Sequence, residues 1–152
     1  MILVQNIQEI VEKYIDNKGH FVVDVKVTPF NKISVFIDNV NGISVADCAE
    51  LSRFIESNLN REEEDFELEV SSPGLDQPFK VLSQYKKYVG KKVDVLTKEG
   101  IKVRGELLAA SEEGIELKEF LKKKSGEKEQ KTNNHFLSFE KIKETKIVIT
   151  FN

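Results

Sequence analysis

Short runs in which apolar and polar residues alternate dominate this 152-residue chain, and they constrain its fold more than any other feature. Alternation with a period of two is typical of β-strands that have one face buried. Two stretches with helical periodicity interrupt the runs in the first half, whereas in the second half the runs follow one another at short spacing. The sequence therefore predicts an α+β fold with a mixed first half and a mainly β second half.

The first half has the pattern of an α-β-β-α-β domain. Apolar residues at helical spacing predict a helix that begins near Leu3 and ends at the stop signal of residues 17–19. Alternation then predicts strands at 21–28, 33–38 and 66–71, the first two of them antiparallel. We expect two helices on one face of this three-stranded sheet.

The second helix has a clear start signal. Ser44 followed by Asp47 resembles a capping box, in which each side chain accepts a hydrogen bond from the other residue's backbone. Its predicted buried stripe consists of Val45, Cys48, Ser52, Ile55 and Leu59. Cys48 is interpreted as a small buried hydrophobic residue.

The second half predicts five short strands and hence a small β-barrel of the SH3/Sm-like type. A loop rich in turn residues, 71–78, and a helical stretch from Phe79 to Tyr88 precede it. The predicted strands begin at Val93 and resume at 101–107, 115–120, 135–139 and 147–151, with a loop at 122–134. We therefore divide the chain into an N-terminal domain, 1–84, and a C-terminal barrel, 85–152.

Charge follows the same division. Residues 1–84 hold 7 Lys and Arg against 15 Asp and Glu, a net charge of −8. Residues 85–152 hold 16 against 11, a net charge of +5. Such asymmetry predicts one half that avoids polyanions and one half that attracts them. An ordinary lysine-rich surface is the alternative interpretation.

Composition excludes several classes of protein. The chain is 39% hydrophobic and 32% charged, which is too apolar for a disordered chain and too charged for a membrane protein. Its start lacks the basic region of a signal peptide, so we expect a cytoplasmic protein. A single cysteine excludes an intramolecular disulfide and a cysteine-based zinc site. His20 and His135 lie far apart, so we expect no metal, no cofactor and no catalytic site.

Three stretches together resemble the bacterial ribosome maturation factor RimP family. They are Asp47–Arg53 on the second helix, Glu69–Asp76 followed by Pro78, and Tyr88–Val93. The most specific element is the loop that comprises Ser71, Ser72, Pro73, Gly74, Leu75, Asp76 and Pro78. The order of the predicted elements is also that of the family. Two positions depart from its pattern: Gln77 stands where the family usually has Arg, and Phe79 stands where a smaller aliphatic residue is common.

The resemblance implies a non-enzymatic assembly factor. It implies partners on the small (30S) ribosomal subunit, namely 16S ribosomal RNA and small-subunit ribosomal proteins, and we expect the factor to be a monomer without membrane contact. RNA binding would need cations that neutralise phosphates. The candidates are Lys86, Lys87, Lys91, Lys92, Arg104, Lys122, Lys123 and Lys124, although Arg104 fits a surface ion pair equally well.

Other interpretations stay open. The barrel half would serve as a protein–protein adaptor if it bound a peptide, but it has no Trp for a proline-binding groove. A hydrolase would need acid, base and nucleophile together, and no spacing gathers them. The loop at 71–78 is either a structural turn or a cradle for a phosphate or a peptide carbonyl. The acidic stretch 62–69 is either a solvated loop or a surface that faces a basic ribosomal protein.

Overall fold

The structure is a computed structural model that describes residues 1–15, 18–122, 125–126 and 128–149. It divides into two compact units, 1–73 and 74–152. The predicted domain boundary after residue 84 stays a prediction. Phe79, Leu82 and Tyr85 pack in the core of the second unit.

The first unit contains two helices and a three-stranded sheet. Its elements are α1 (Val4–Ile15), β1 (His20–Val27), β2 (Lys32–Asn39), α2 (Val45–Ser57) and β3 (Glu67–Ser71). The sheet order is β1-β2-β3, in which β1 is antiparallel to β2 and β3 is parallel to β2. The parallel pair requires a crossover, which α2 supplies. This element order is the predicted one.

A bulge in β1 changes which of its residues face the helices. Strict alternation predicts that Phe21, Val23, Val25 and Val27 share a face. The register shifts between Val22 and Asp24, so Val22, Val25 and Val27 pack in the cluster beneath the helices, whereas Val23 is buried outside that cluster. An extra residue in one strand reverses the inward parity beyond it. Because Val22 and Val23 are both valine, the sequence pattern does not reveal the extra residue.

The predicted capping box begins α2. Asp47 N donates to Ser44 Oγ at 3.0 Å, and Ser44 N donates to Asp47 Oδ2 at 3.0 Å. The predicted stripe was wrong at Val45, which is 89% exposed, and it omitted Leu51, which is fully buried. Cys48 is buried as predicted. Val45 is the first residue of α2 and faces solvent. The prediction of burial rested only on its apolar side chain.

Replacing Ser44 by alanine should lower the free energy of unfolding by about 1 kcal/mol, because the amide of Asp47 loses its acceptor. Hydrogen bonds from Ser44 hold the pKa of Asp47 below its usual value. The ionised carboxylate therefore stabilises the fold above about pH 4, and this contribution is lost as pH falls through the lowered pKa. Urea titrations of Ser44→Ala and Asp47→Asn at several pH values measure both effects. Ser57→Ala, at an exposed hydroxyl of the same helix, is the control.

The second unit contains one short helix and a five-stranded antiparallel sheet. Its elements are α3 (Leu82–Lys87), β4 (Lys92–Thr97), β5 (Lys102–Ala110), β6 (Gly114–Phe120), β7 (Thr132–Ser138) and β8 (Ile142–Ile147), with a 3₁₀ turn at Phe139–Lys141. The sheet order is β7-β6-β5-β4-β8. Five strands agree with the prediction. The pairings among the described residues form an open order and do not join β7 to β8, so the closed SH3/Sm-like barrel stays a prediction.

Several predicted bounds were wrong in the second unit. β7 begins at Thr132, so 132–134 belong to a strand and not to the predicted loop. The last strand is 142–147 and not 147–151, of which 150–151 lie outside the described residues. Thr145 is fully buried and a register shift precedes it, so the pattern of apolar residues does not mark this strand. Ile101 is 55% exposed and precedes β5.

Candidate nucleic-acid interface

Helix α3 presents two of the candidate lysines from a fixed position. The side chain of Gln84 is buried, and its Oε1 accepts a hydrogen bond from the Val81 amide at 3.1 Å. Tyr85 is buried on the same helix, and its hydroxyl donates to Thr145 Oγ1 at 2.9 Å. With these two side chains turned inward, Lys86 is exposed and Lys87 is half-buried, with its Nζ 5.3 Å from the centroid of the Tyr88 ring.

Aromatic contacts hold α3 on the sheet. Phe79 packs edge-on against Tyr85 and stacks on Tyr88, with centroid distances of 4.9 and 5.2 Å. Tyr85 also meets Phe139 at 5.1 Å. Aromatic pairs of this kind contribute beyond the area they bury. Burial raises the pKa of Tyr85, so its hydroxyl stays protonated and donates to Thr145 across the neutral pH range.

Tyr85→Phe should lower the free energy of unfolding by about 1–2 kcal/mol, because the hydroxyl of Thr145 loses its partner inside the core. Tyr88→Phe is the matched control, since no hydrogen bond of the Tyr88 hydroxyl is among the described contacts. Guanidinium titrations of both variants measure the difference. Equal stability of the two variants would contradict this role for the buried pair.

A glycine turn carries the chain from α3 into β4. Gly90 has φ 93°, in the left-handed region that favours glycine, and its amide donates to Leu107 O at 2.7 Å. The Leu107 amide in turn donates to Lys91 O at 2.9 Å. These bonds fix the backbone of Lys91, which is exposed, as is Lys92 at the first position of β4.

The structure brings two predicted lysine groups towards each other. Lys92 Nζ lies 5.3 Å from the centroid of Phe120, the last residue of β6. Exposed Lys122 follows two residues later. The start of β4 therefore adjoins the end of β6. The other two candidates there, Lys123 and Lys124, lie outside the described residues.

Further lysines on the sheet escaped the sequence analysis. Lys118 on β6 faces Glu106 of β5, which in turn faces Lys92. Lys146 on β8 faces Asp94 of β4. Lys118 lies at a polar position of an alternating strand, which was the available signal, whereas no such pattern marks the strand of Lys146. The sequence alone does not reveal which strands are neighbours, so it does not place these lysines near Lys92.

Arg104 forms the surface ion pair that sequence analysis left open. Its Nε and Nη2 donate to Asp94 Oδ1 and Oδ2 at 2.7 and 2.9 Å. The hydrogen bonds to Asp94 raise the pKa of the Arg104 guanidinium. The pair lies in an open cleft of about 450 Å³ that also contains Lys102, Glu144 and Lys146. A phosphate would have to compete with Asp94 for this guanidinium.

The family-motif loop begins at the end of β3 with Ser71, followed by Ser72 and Pro73 in the first unit. In the second unit the Gln77 amide donates to Gly74 O at 3.1 Å, which closes a turn at 74–77. Gly74 does not use the positive φ that a glycine can adopt. A Cβ there would lie 2.7 Å from Asp76 Oδ1, the end of a side chain. Leu75 is 55% exposed, Asp76 is exposed and Pro78 is half-buried.

The histidines make structural contacts. The His20 ring nitrogen Nδ1 lies 3.0 Å from Asn39 Nδ2, and the His135 nitrogen Nε2 lies 2.5 Å from Glu119 Oε1. No group of three or more His, Cys, Asp or Glu side chains among the described residues is arranged to hold a metal ion. Within the same part of the chain, no helix is long and apolar enough to cross a membrane.

These features define a class of α+β protein in which an acidic helix-and-sheet unit precedes a basic, mainly β unit. Residues 10–76 match the family described as the RimP N-terminal domain. The chain is 38% identical over 117 residues to the ribosome maturation factor RimP of Porphyromonas gingivalis, covering 77% of each protein. It is 38% identical over 117 residues to that of Christiangramia forsetii, covering 76% of each. It is 32% identical over 155 residues to that of Flavobacterium psychrophilum, covering 99% of this chain and 100% of the relative. The chain belongs to the RimP family.

Proposed function

We propose that this chain is a ribosome maturation factor that binds the small (30S) ribosomal subunit and assists its assembly without catalysing a reaction. The observation that carries the proposal is family membership. The relatives are named ribosome maturation factor RimP, and they align with most of this chain. The proposed partners are 16S ribosomal RNA and small-subunit ribosomal proteins. We propose that the factor acts in the cytoplasm as a monomer.

The charge of the second unit supports RNA contact there. Residues 74–152 hold 17 Lys and Arg against 12 Asp and Glu, whereas residues 1–73 hold 6 against 14. We assign the contact to the predicted lysines of α3, of the start of β4 and of the segment that follows β6 in sequence. They are Lys86, Lys87, Lys91, Lys92, Lys122, Lys123 and Lys124, with Arg104 as a directional contact once it leaves Asp94. Lysines neutralise phosphates without reading sequence.

The architecture of the second unit fits this role. We propose that its five strands form an SH3/Sm-like barrel, since β7 continues through one 3₁₀ turn into β8 at the opposite edge of the sheet. We propose that the loop at 71–78 acts as a turn that sets backbone direction, because the bond between Gly74 and Gln77 is internal to it. Gln77 offers a phosphate an amide where the family's arginine would offer a bidentate cation.

A cleft on the second unit favours the adaptor as a second candidate. It has a volume of about 420 Å³, and its apolar walls include Phe79, Leu82, Tyr85 and Phe139. An apolar peptide side chain would fit such a cleft, and its affinity would change little with salt. The lysine surface predicts the opposite behaviour, so salt dependence distinguishes the two candidates.

Sucrose-gradient sedimentation of the tagged protein in bacterial lysate tests the proposal. At low salt the protein should migrate with free 30S subunits and be absent from 70S ribosomes and polysomes. At moderate salt the 30S-associated fraction should fall. Migration at the top of the gradient at both salt concentrations would contradict subunit binding and favour the adaptor.

A further inference from the structure

The tip of the β1–β2 hairpin exposes an aromatic side chain almost completely. Phe30 is 93% exposed, the largest value among the exposed large hydrophobic residues of the described chain. Two more apolar side chains of this unit, Met1 and Leu3, are 73% and 52% exposed. Ile2 N, between them, donates to the side chain of Asn31 at 3.2 Å, so these apolar residues are close to the hairpin tip.

The backbone next to Phe30 is held in an unusual conformation. Asn31 has φ 57°, and among the described residues it is the only one other than glycine with a positive φ. Its amide donates to Thr28 O at 3.0 Å, and its carbonyl accepts from Glu67 N at 3.1 Å. Left-handed backbone outside glycine persists only where surrounding contacts stabilise it. These contacts hold the backbone of the turn, which presents the Phe30 side chain to solvent.

The side chain of Asn31 joins the hairpin tip to the acidic loop, 62–65. Asn31 Nδ2 donates to Glu64 Oε2 at 3.0 Å and to Asp65 O at 3.2 Å. The other carboxylate oxygen of Glu64 accepts from the Met1 ammonium group at 2.6 Å. One carboxylate thus bridges the two ends of the apolar patch. The remaining acidic residues, Glu62 and Glu63, are exposed and make no ion pair with a described residue.

We propose that Phe30, flanked by Met1 and Leu3 and bordered by Glu62 and Glu63, is a docking surface for a basic protein segment that contributes an apolar side chain. This inference rests on the proposed function, since it assigns the protein partner to the first unit. Exposed aromatic side chains that a partner buries carry a large share of binding energy at interfaces.

The charge of the first unit selects the kind of partner. Its net charge of −8 repels RNA phosphates, so an RNA partner would oppose the field around Phe30. A second copy of this chain would bring two equally acidic surfaces together. A segment rich in Lys or Arg is attracted to Glu62 and Glu63 while its apolar side chain covers Phe30.

Affinity measurements on purified small ribosomal subunits test the surface. Phe30→Ala should weaken binding of the full chain at least tenfold, because truncation removes an interface anchor; tenfold corresponds to about 1.4 kcal/mol. Val45→Ala, at an 89% exposed position of the same unit, should change affinity less than about twofold. The double variant Glu62→Gln, Glu63→Gln should also weaken binding. Phe30→Ala should melt at the same temperature as the unmodified protein, since the lost side chain is exposed.

Photocrosslinking identifies the partner. Benzoylphenylalanine replaces Phe30 in one variant and Val45 in the control, and each variant is irradiated with purified subunits. Crosslinks from position 30 to a lysine- and arginine-rich protein segment support the proposal. Crosslinks only to RNA, only to a second copy, or no more than from position 45 would overturn it.

The affinity measurements separate this inference from the proposed function. If Phe30→Ala binds subunits normally, the docking surface is wrong and the proposed function stands. If the unmodified protein does not bind, both are wrong.

Discussion

Replacing Lys91 and Lys92 together by glutamate is expected to weaken binding to small ribosomal subunits roughly 50-fold at 0.1 M salt. Each phosphate contact contributes about 0.7–0.9 to the slope of log affinity against log salt, because neutralising it releases counterions. Loss of two contacts should therefore also make the slope shallower by about 1.4–1.8. Gly90 and the bonds to Leu107 fix the backbone here, so the substitutions change charge at a defined place.

A titration at several salt concentrations, followed by fluorescence anisotropy, measures both quantities. Lys13→Glu with Lys26→Glu is the matched control, since it changes the net charge equally at exposed positions of the acidic unit. We expect the control to bind nearly as well as the unmodified protein. An equal loss in both variants would mean that overall charge, and not this surface, governs binding.

Gly105→Ala is expected to lower the free energy of unfolding of the second unit by about 3 kcal/mol. Gly105 is buried in β5 between Val93 of β4 and Glu119 of β6. A Cβ there would overlap the backbone carbonyl of Lys118, so the two strands would have to separate. The backbone of β6 cannot move aside as the end of a side chain can, because its hydrogen bonds pair it with β5.

Gly74→Ala is the control for this prediction, since its Cβ would meet only the carboxylate end of Asp76. We expect Gly74→Ala to change stability by less than about 0.5 kcal/mol. Hydrogen exchange of peptides from β4, β5 and β6, measured by mass spectrometry in increasing urea, localises the effect to the second unit. Equal stability of the two variants would contradict the close approach of β5 and β6.

Local patterns predicted most elements because their causes are local. The alternation of Ile33, Val35 and Ile37 reflects one buried face, and all three are fully buried. The capping box of Ser44 likewise needs only residues within one turn. The bulge at Val23 and the inward Thr145 depend on neighbouring strands. Thr145 is buried because Tyr85, 60 positions away in sequence, supplies its hydrogen bond.

The candidate surface was predictable in part for the same reason. Charge counts indicated a basic second half, and Lys91 and Lys92 stand beside a glycine turn that the sequence marks. Sequence spacing could not show that Lys92 lies over Phe120 or that Arg104 is paired with Asp94. Sequence spacing also could not reveal the contact of Asn31 with Glu64 beside Phe30, because the two residues are 33 positions apart.

The most direct test of the central claim is the affinity of the unmodified protein for purified small and large ribosomal subunits, measured side by side over a range of salt concentrations. We expect tight binding to small subunits that weakens steeply as salt rises, and much weaker binding to large subunits at every salt concentration. Equal affinity for both subunits would indicate general attraction to RNA, and affinity that does not change with salt would contradict the role of the lysine surface.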